Sequence, residues 1–333
     1  MQFSANFMPN QETVFITGGA GFLGSYITRK LLQQGYKVVV YDAFVQYSNP
    51  IDGFNTEAQI QRRFDGIKDK VVFVRGDTTH KSFLQKAVLQ HKPSVIIHLA
   101  ALPIADIGDK NPDEANSSII EGTINILNIM KDVDFVKRFV YTSSSMVYGD
   151  FEYSPADEEH PKKPKSIYGA TKFAGEILTE AYGRRYKIPY TIIRPSAIYG
   201  PGDVNRRVVQ MFLENAFVDK PIKLHNGGTS KLDFSFVEDV ADGFILAAFH
   251  PKAEGQIFNI TRGEGRQLKE LVDIIQKLVG HPLKVEITPP DFHRPERGAL
   301  SIEKARKLIG YNPQYSLEQG VEKYYKFLKQ FYA

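Results

Sequence analysis

The chain of 333 residues contains no cysteine, which excludes disulfides, thiolate metal ligands and a cysteine nucleophile. It also lacks a long apolar run. The longest, residues 95–105, is interrupted by His98 and Pro103 and is too short to span a bilayer. No long block of Lys or Arg occurs, and 42 basic against 38 acidic residues leave a net charge of only +4. Such a balance argues against a nucleic-acid or membrane partner. No His/Asp/Glu spacing recommends a metal site, and no internal repeat or low-complexity segment stands out. The first seven residues, Met1 to Phe7, offer neither a basic region nor an apolar stretch, so no signal peptide is expected. Hydrophobic content of 42% and charged content of 24% suit a globular enzyme, expected to be soluble and cytoplasmic.

What is present begins with residues 14–24, Val-Phe-Ile-Thr-Gly-Gly-Ala-Gly-Phe-Leu-Gly, an apolar run that breaks into glycines and opens a helix-like stretch. Gly18, Gly21 and Gly24 give a GxxGxxG spacing, and Gly19, Gly21 and Gly24 satisfy GxGxxG. Glycines there permit a sharp turn, close approach of backbone to a pyrophosphate, and packing of helix on strand. Bare amides at the helix start form a seat for phosphate. A second strand-like run, residues 36–41, ends in Asp42. That carboxylate falls about 20 residues beyond the glycines, where it accepts hydrogen bonds from the adenosine ribose. It would repel a 2′-phosphate and no Arg follows it directly, so NAD is expected rather than NADP.

Apolar runs alternate with helix-period segments. Strands are predicted at 13–17, 36–41, 71–75, 94–99, 137–142 and 189–194, and helices at 22–34, 56–66, 80–90, 112–131 and 166–186. Val- and Ile-rich strands separated by helices predict an α/β fold, a doubly wound parallel Rossmann sheet with helices on both faces. After residue 196 the rhythm shortens around Gly200-Pro-Gly202, Asn226-Gly-Gly228 and Pro289-Pro290. The expected division is an NAD-binding domain at 8–196, to which 237–262 returns, and a smaller α/β substrate-binding lobe at 197–236 and 263–333.

The predicted strand 137–142 runs into Thr142-Ser143-Ser144-Ser145 at the sheet's ligand edge, and Tyr168-Gly-Ala-Thr-Lys172 follows. On a helix, positions i and i+4 share a face, so the Lys172 ammonium lies beside the Tyr168 phenol. A nearby cation favours the phenolate and is expected to lower its pKa towards that of a general base. Ser144 is placed to bind the same substrate oxygen. The Tyr-x-x-x-Lys spacing occurs three times. Tyr26/Lys30 falls inside the first helix, and Tyr325/Lys329 is expected on a solvated helix face; only Tyr168/Lys172 follows a serine cluster.

These motifs together resemble the extended short-chain dehydrogenase/reductase superfamily, in its nucleotide-sugar epimerase/dehydratase branch. The resemblance spans nearly the whole chain. It includes Thr17-Gly-Gly-Ala-Gly-Phe-Leu-Gly24, Gly76-Asp77, His98-Leu-Ala-Ala101, Ser143-Ser-Ser-Met-Val-Tyr-Gly149, Tyr168-Gly-Ala-Thr-Lys172, Arg194-Pro-Ser-Ala-Ile-Tyr-Gly-Pro201, Asp233-Phe-Ser-Phe-Val-Glu-Asp239 and Leu308-Ile-Gly-Tyr-Asn-Pro313. It implies NAD as cofactor, held by Gly18, Gly21, Phe22, Leu23, Gly24, Asp42, Asp77, Thr78, Leu99, Ala100, Ala101, Tyr168 and Lys172. Asp77 would contact the adenine, and Lys172 would also hold the nicotinamide ribose. Ser144, Tyr168 and Lys172 would be catalytic; Ser144, Ser145 and Arg297 would meet the substrate, Arg297 at its diphosphate. A homodimer through the helices 112–131 and 166–186 is implied as well. His98 is read as a strand-end residue satisfied by backbone, and Asp157-Glu-Glu159 as a solvated loop.

The dehydratases of this branch carry an acidic pair after the catalytic hydroxyl, where this chain has Ser145 and Met146. Water expulsion is therefore disfavoured. The expected reaction is epimerisation of a nucleotide-activated sugar at C4, through transient oxidation to a keto-sugar. The alternatives are an NAD-dependent dehydrogenase or reductase of a sugar, sugar acid or small carbonyl compound, and a non-catalytic NAD-binding protein. Three positions depart from the pattern: Ala197 and Leu232 stand where a phosphate-binding Asn and Arg are usual, and Ile119 replaces an Asn. Either Lys231, Arg206, Arg207 or Arg294 compensates, or the substrate is not a nucleotide sugar.

Overall fold

The computed structural model describes residues 12–45, 56–291 and 294–332; the first seven residues and the start of the expected first domain, 8–11, lie outside them. Six strands appear in the alternating rhythm: β1 (Thr13–Thr17), β2 (Lys37–Asp42), β3 (Val71–Arg75), β4 (Val95–His98), β5 (Arg138–Thr142) and β6 (Tyr190–Pro195). With a seventh, Gln256–Ile260, they form one sheet in the order seventh–β6–β5–β4–β1–β2–β3, every pair parallel. Val and Ile fill both faces because helices cover both: Val14, Ile16, Val38 and Ile97 pack in one cluster, Phe15, Val39, Ile96 and Phe139 in the other. The order reverses direction between β1 and β4. A crevice therefore opens beyond the carboxyl ends of those strands, where ligands of such sheets bind.

Three helices follow the first strands: α1 (Phe22–Gln33), α2 (Thr56–Arg62) and α3 (Lys81–His91). The predicted helix at 112–131 runs without interruption from Pro112 to Met130, with a π-helical stretch, Asn116–Glu121, between Pro112–Ala115 and Gly122–Met130. There Thr123 Oγ1 donates to the Ile119 carbonyl at 2.5 Å, a side-chain bond that competes with the helical ladder. A short helix, Ala105–Lys110, stands where no helix is predicted. The long helix Ile167–Tyr186 starts at Ser166, whose Oγ accepts from Gly169 N at 3.0 Å.

Residues beyond β6 build a second core around Phe212, Leu213, Phe236, Leu271, Ile275, Leu317 and Tyr324. The helix Val237–Phe249 instead packs on α1 in the core of the sheet. Tyr325, expected on a solvated face, stacks on Phe217 with centroids 5.1 Å apart, because the last helix turns that aromatic edge into the second core. Among the described residues no helix is long and apolar enough to cross a membrane, and no group of three His, Asp or Glu could hold a metal ion.

Candidate active site

A cleft of about 1380 Å³ runs from the glycine turn, past the ends of β1, β4 and β5, to the second core. At one end the backbone itself forms the wall. Gly18 has φ +68°, and a Cβ there would lie 2.7 Å from Ala100 N; at Gly24 a Cβ would meet Gly19 O at 2.6 Å. Neither position admits a side chain, and the cradle so formed lets α1 begin with no capping side chain and no acidic residue in its first turn. Its free amides and the positive end of its dipole face the cleft, as a pyrophosphate requires. Gly21, Phe22, Leu23, Thr78, Leu99, Ala100 and Ala101 line the same stretch.

Asp42 closes that end. Its Oδ2 accepts from Ala20 N (2.9 Å) and its Oδ1 from Phe44 N (2.7 Å). Burial pushes its carboxyl pKa up, and these two donors oppose the rise. Asp77 also borders the cleft, with Oδ1 accepting from Thr79 N and Oγ1, both at 2.9 Å. Asp42→Ala is expected to weaken NAD about tenfold, the worth of one charge-assisted hydrogen bond, and to narrow the preference over NADP. Titration of both cofactors against wild type and variant checks this; an unchanged preference would mean another group reads the ribose.

At the middle of the cleft β5 delivers Thr142 to Ser145, and the long helix delivers Tyr168 and Lys172. Lys172 Nζ donates to Thr142 O at 2.8 Å and lies 5.9 Å from the Tyr168 ring centroid. Ser144 Oγ accepts from Met146 N at 3.2 Å, which orients the hydroxyl at the turn. Thr142 Oγ1 is buried without a hydrogen-bond partner, an orphan beside the ammonium that a polar ligand would satisfy. With the glycine cradle, this makes the cleft fit a dinucleotide. Ser145, only 1% exposed, turns inward at its rim.

The electrostatics differ from the expectation. Burial raises the Tyr168 pKa, and the opposing influences are Arg207 first and then a hydrogen bond from Ser144. Burial also pulls Lys172 down to about 7. Removing both groups from water costs each its charged form, so in the protein alone proximity to Lys172 does not make the phenol acidic. The Lys172 shift has a consequence for stability. Its folded pKa lies below the unfolded value, so between about pH 7 and 10.5 the unfolded chain binds a proton that the folded chain does not. Stability from this group therefore rises with pH, by up to about 1.4 kcal/mol per unit. Urea unfolding of cofactor-free wild type and Lys172→Met should show the wild type gaining on the variant from pH 7 to 9; a flat difference would contradict the burial.

His98 is satisfied by two hydroxyls, not by backbone: Thr17 Oγ1 at 2.7 Å and Thr123 Oγ1 at 3.3 Å. Burial, and then the Lys172 charge, hold it near 3 and hence neutral. Glu158 is likewise not solvated but 5% exposed, accepting from Asn259 N at 2.8 Å, because the loop folds under the seventh strand.

The far wall is cationic. Arg206, Arg207, Arg294 and Arg297 line the cleft, whereas Lys231 does not. Arg207 donates to Asp203 Oδ1 (2.9 Å) and to the Pro103 carbonyl (3.2 Å), which bridges two loops at this end of the cleft. Arg297 Nε is buried without a partner, and burial followed by Arg294 lowers its pKa to about 10. Ala197 lines the cleft with φ +34°, a conformation Asn tolerates better than Ala. Leu232 also lines the cleft, and Ile119 is buried within the π-helical stretch. The sequence carried no signal for Asp203, the anchor of Arg207.

A parallel sheet with a glycine cradle at its switch point and a Ser–Tyr–Lys set beside it defines a nicotinamide-dependent enzyme of the Rossmann class. Residues 14–261 match the model of the NAD dependent epimerase/dehydratase family, and the chain belongs to that family. It is 32% identical over 94% of its length to a UDP-glucose 4-epimerase of Mycolicibacterium smegmatis, covering 97% of that protein. It is 30% identical to a UDP-glucuronate 4-epimerase of Thermodesulfobacterium geofontis, with 95% of each chain covered. The fold superposes with a TM-score of 0.87 on the UDP-glucuronic acid 4-epimerase of Bacillus cereus, solved with UDP-glucuronic acid and NAD, at 26% identity over 96% of this chain and 99% of that one. NAD is accordingly the cofactor of this enzyme.

Proposed function

We propose that the chain is a C4 epimerase of a UDP-sugar, with UDP-glucose and UDP-glucuronate as the first substrates to test. The observation that carries this reading is the meeting of Ser144, Tyr168 and Lys172 at mid-cleft, opposite a wall of arginines and with no acid at Ser145 or Met146. The glycine cradle, Asp42 and Asp77 would hold the dinucleotide and Lys172 its nicotinamide ribose; when bound, NAD⁺ would supply the reversible hydride acceptor that the oxidation and return at the sugar carbon require. Ser144 and Tyr168 grip the hydroxyl on that carbon, and Tyr168 takes its proton and later gives it back. The ammonium of Lys172 lies close enough to stabilise the charge that develops on the phenol. Arg207 and Arg297 replace the phosphate ligands missing at Ala197 and Leu232.

An epimerase of this kind purifies with NAD and interconverts its two sugars without added cofactor. The test is chromatography of UDP-glucose or UDP-glucuronate incubated with the enzyme alone. A sustained change in nicotinamide absorbance that depends on added NAD would mean net dehydrogenation or reduction instead. No conversion of either sugar would overturn the substrate assignment.

We also infer a homodimer. The long helix carries an apolar stripe, Ile167, Ala170, Ala174, Ile177 and Ala181, exposed except at the half-buried Ala174, with Ile177 50% exposed. Spacing of three and four residues makes it one face, and an isologous pair of such faces closes a two-fold bundle. Sedimentation should give a dimer for wild type and a monomer for Ile177→Glu; a wild-type monomer at micromolar concentration would refute it.

A further inference from the structure

Besides the Ser144–Tyr168 hydrogen bond, the serine turn is tied to the long helix at two further points, and only the first belongs to the catalytic set. Lys172 Nζ holds Thr142 O. One residue along, Ser143 Oγ donates to Glu176 Oε1, and Ser144 follows directly. Glu176 lies one helical turn beyond Lys172 and two beyond Tyr168, on the same face. Its carboxylate is gripped at both oxygens by Arg194, at the end of β6: Nε to Oε1 at 2.9 Å and Nη2 to Oε2 at 2.7 Å. Both side chains are fully buried, at 1% and 2% exposure. Arg194 Nη1 donates further to the Tyr148 hydroxyl (3.0 Å) and the Glu158 carbonyl (2.9 Å). Tyr148 in turn donates to Asn259 Oδ1 on the seventh strand at 2.7 Å.

Stability alone gives little reason for such a pair, since desolvating two charges offsets most of their attraction. Its location is more informative. Among the described residues Lys172 has no carboxylate partner, yet Glu176 stands at the i+4 position where carboxylates and ammonium groups pair on helices. Arg194 occupies both oxygens with a planar fork that an ammonium cannot match. The ammonium is thereby left for Thr142 O and the cleft.

We propose that Glu176, Arg194 and Ser143 are positioning residues: the ion pair anchors the middle of the serine turn to the catalytic helix, setting Ser144 against Tyr168, and it withholds Glu176 from Lys172. This rests on the reading of Ser144, Tyr168 and Lys172 as the reacting set. Ser143→Ala tests it most directly, because it deletes one hydroxyl and leaves the ion pair intact. With NAD bound, the tyrosinate absorbance of Tyr168, taken as the difference from Tyr168→Phe, should titrate about one pH unit higher in Ser143→Ala. Turnover of UDP-glucose or UDP-glucuronate should fall in kcat by about tenfold, the equivalent of that unit, with KM changed less than about twofold. In Arg194→Met the freed carboxylate captures Lys172, so the shift is larger and bound NAD decreases; Arg194→Lys restores part of both.

An unchanged titration and kcat in Ser143→Ala, with only the Tm altered in Arg194→Met, would reduce the network to a structural support and overturn the proposal. If Arg194→Met does not fold, Ser143→Ala decides alone. Should wild type convert neither sugar, the functional reading fails while the phenol titration still judges this one.

Discussion

Replacing Tyr168 by Phe is expected to lower kcat by about 10²–10⁴-fold, the range that general acid–base help supplies, while NAD binding stays within about twofold of wild type. A Phe ring keeps the volume of the phenol, and the Tyr168 Cβ, 3.3 Å from where a Gly108 Cβ would sit, keeps its place against the short helix Ala105–Lys110. The glycine cradle, Asp42 and Lys172 are untouched, so the cofactor keeps its seat. Only the proton acceptor is lost. Two measurements separate these effects: turnover of UDP-glucose or UDP-glucuronate, and nicotinamide content of the purified variant. Full activity in the variant would remove Tyr168 from the chemistry; loss of NAD together with activity would mean that the phenol serves binding.

The size of that loss also bears on how the phenol is made basic. Burial opposes its ionisation, and Arg207 and Ser144 offset part of the rise. Lys172, itself drawn down to about 7 by burial, is only partly charged at neutral pH. A carboxylate paired with Lys172 would keep it protonated but would cancel its field at the phenol; with Glu176 held by Arg194, the charge that Lys172 carries acts on the phenolate uncompensated.

The i, i+4 spacing of Tyr168 and Lys172 was legible in the sequence because helix geometry fixes it locally, and the glycine turn because only glycine fits there. The six predicted strands were legible because burial on both faces writes a continuous Val and Ile run. What escaped was nonlocal. The phenol's electrostatics depend on its burial and on the charge of Arg207, thirty-nine residues along the chain, which no window of sequence brings beside it. The π-helical stretch at 116–121 lies inside the predicted helix, where the hydroxyls of Ser117, Ser118 and Thr123 take the Glu114 and Ile119 carbonyls, and the apolar period gives no sign of it. Glu158 looked solvated because its neighbours Asp157 and Glu159 are charged, yet the backbone of Asn259, about a hundred residues away, draws it inside. Arg194 stood within a quoted motif and Glu176 four residues beyond another, but their pairing joins β6 to the long helix and needed the fold to be seen.

Removing the arginines of the far wall should act on a different parameter. Arg207→Ala and Arg297→Ala are each expected to raise KM for a UDP-sugar by about 10–100-fold, since a hydrogen bond to a charged group is worth about 1.5–3 kcal/mol. For Arg297 the loss should fall almost wholly on KM. Its Nε has no partner in the protein, so truncation breaks no internal hydrogen bond there and leaves the catalytic set alone. Arg207 differs, because it is anchored to Asp203 and Pro103 and its charge also favours the Tyr168 phenolate. Arg207→Ala should therefore lower kcat as well, and move the alkaline-shifted titration of the phenol further up. If both act on one diphosphate, the double variant departs from the product of the single effects, as groups sharing a partner do. Steady-state kinetics on the four proteins, with UDP as competitive inhibitor, checks each term. Unchanged KM and unchanged inhibition by UDP in both single variants would show that the phosphates are held elsewhere, and with Ala197 and Leu232 in the family's phosphate positions the nucleotide-sugar assignment would fall.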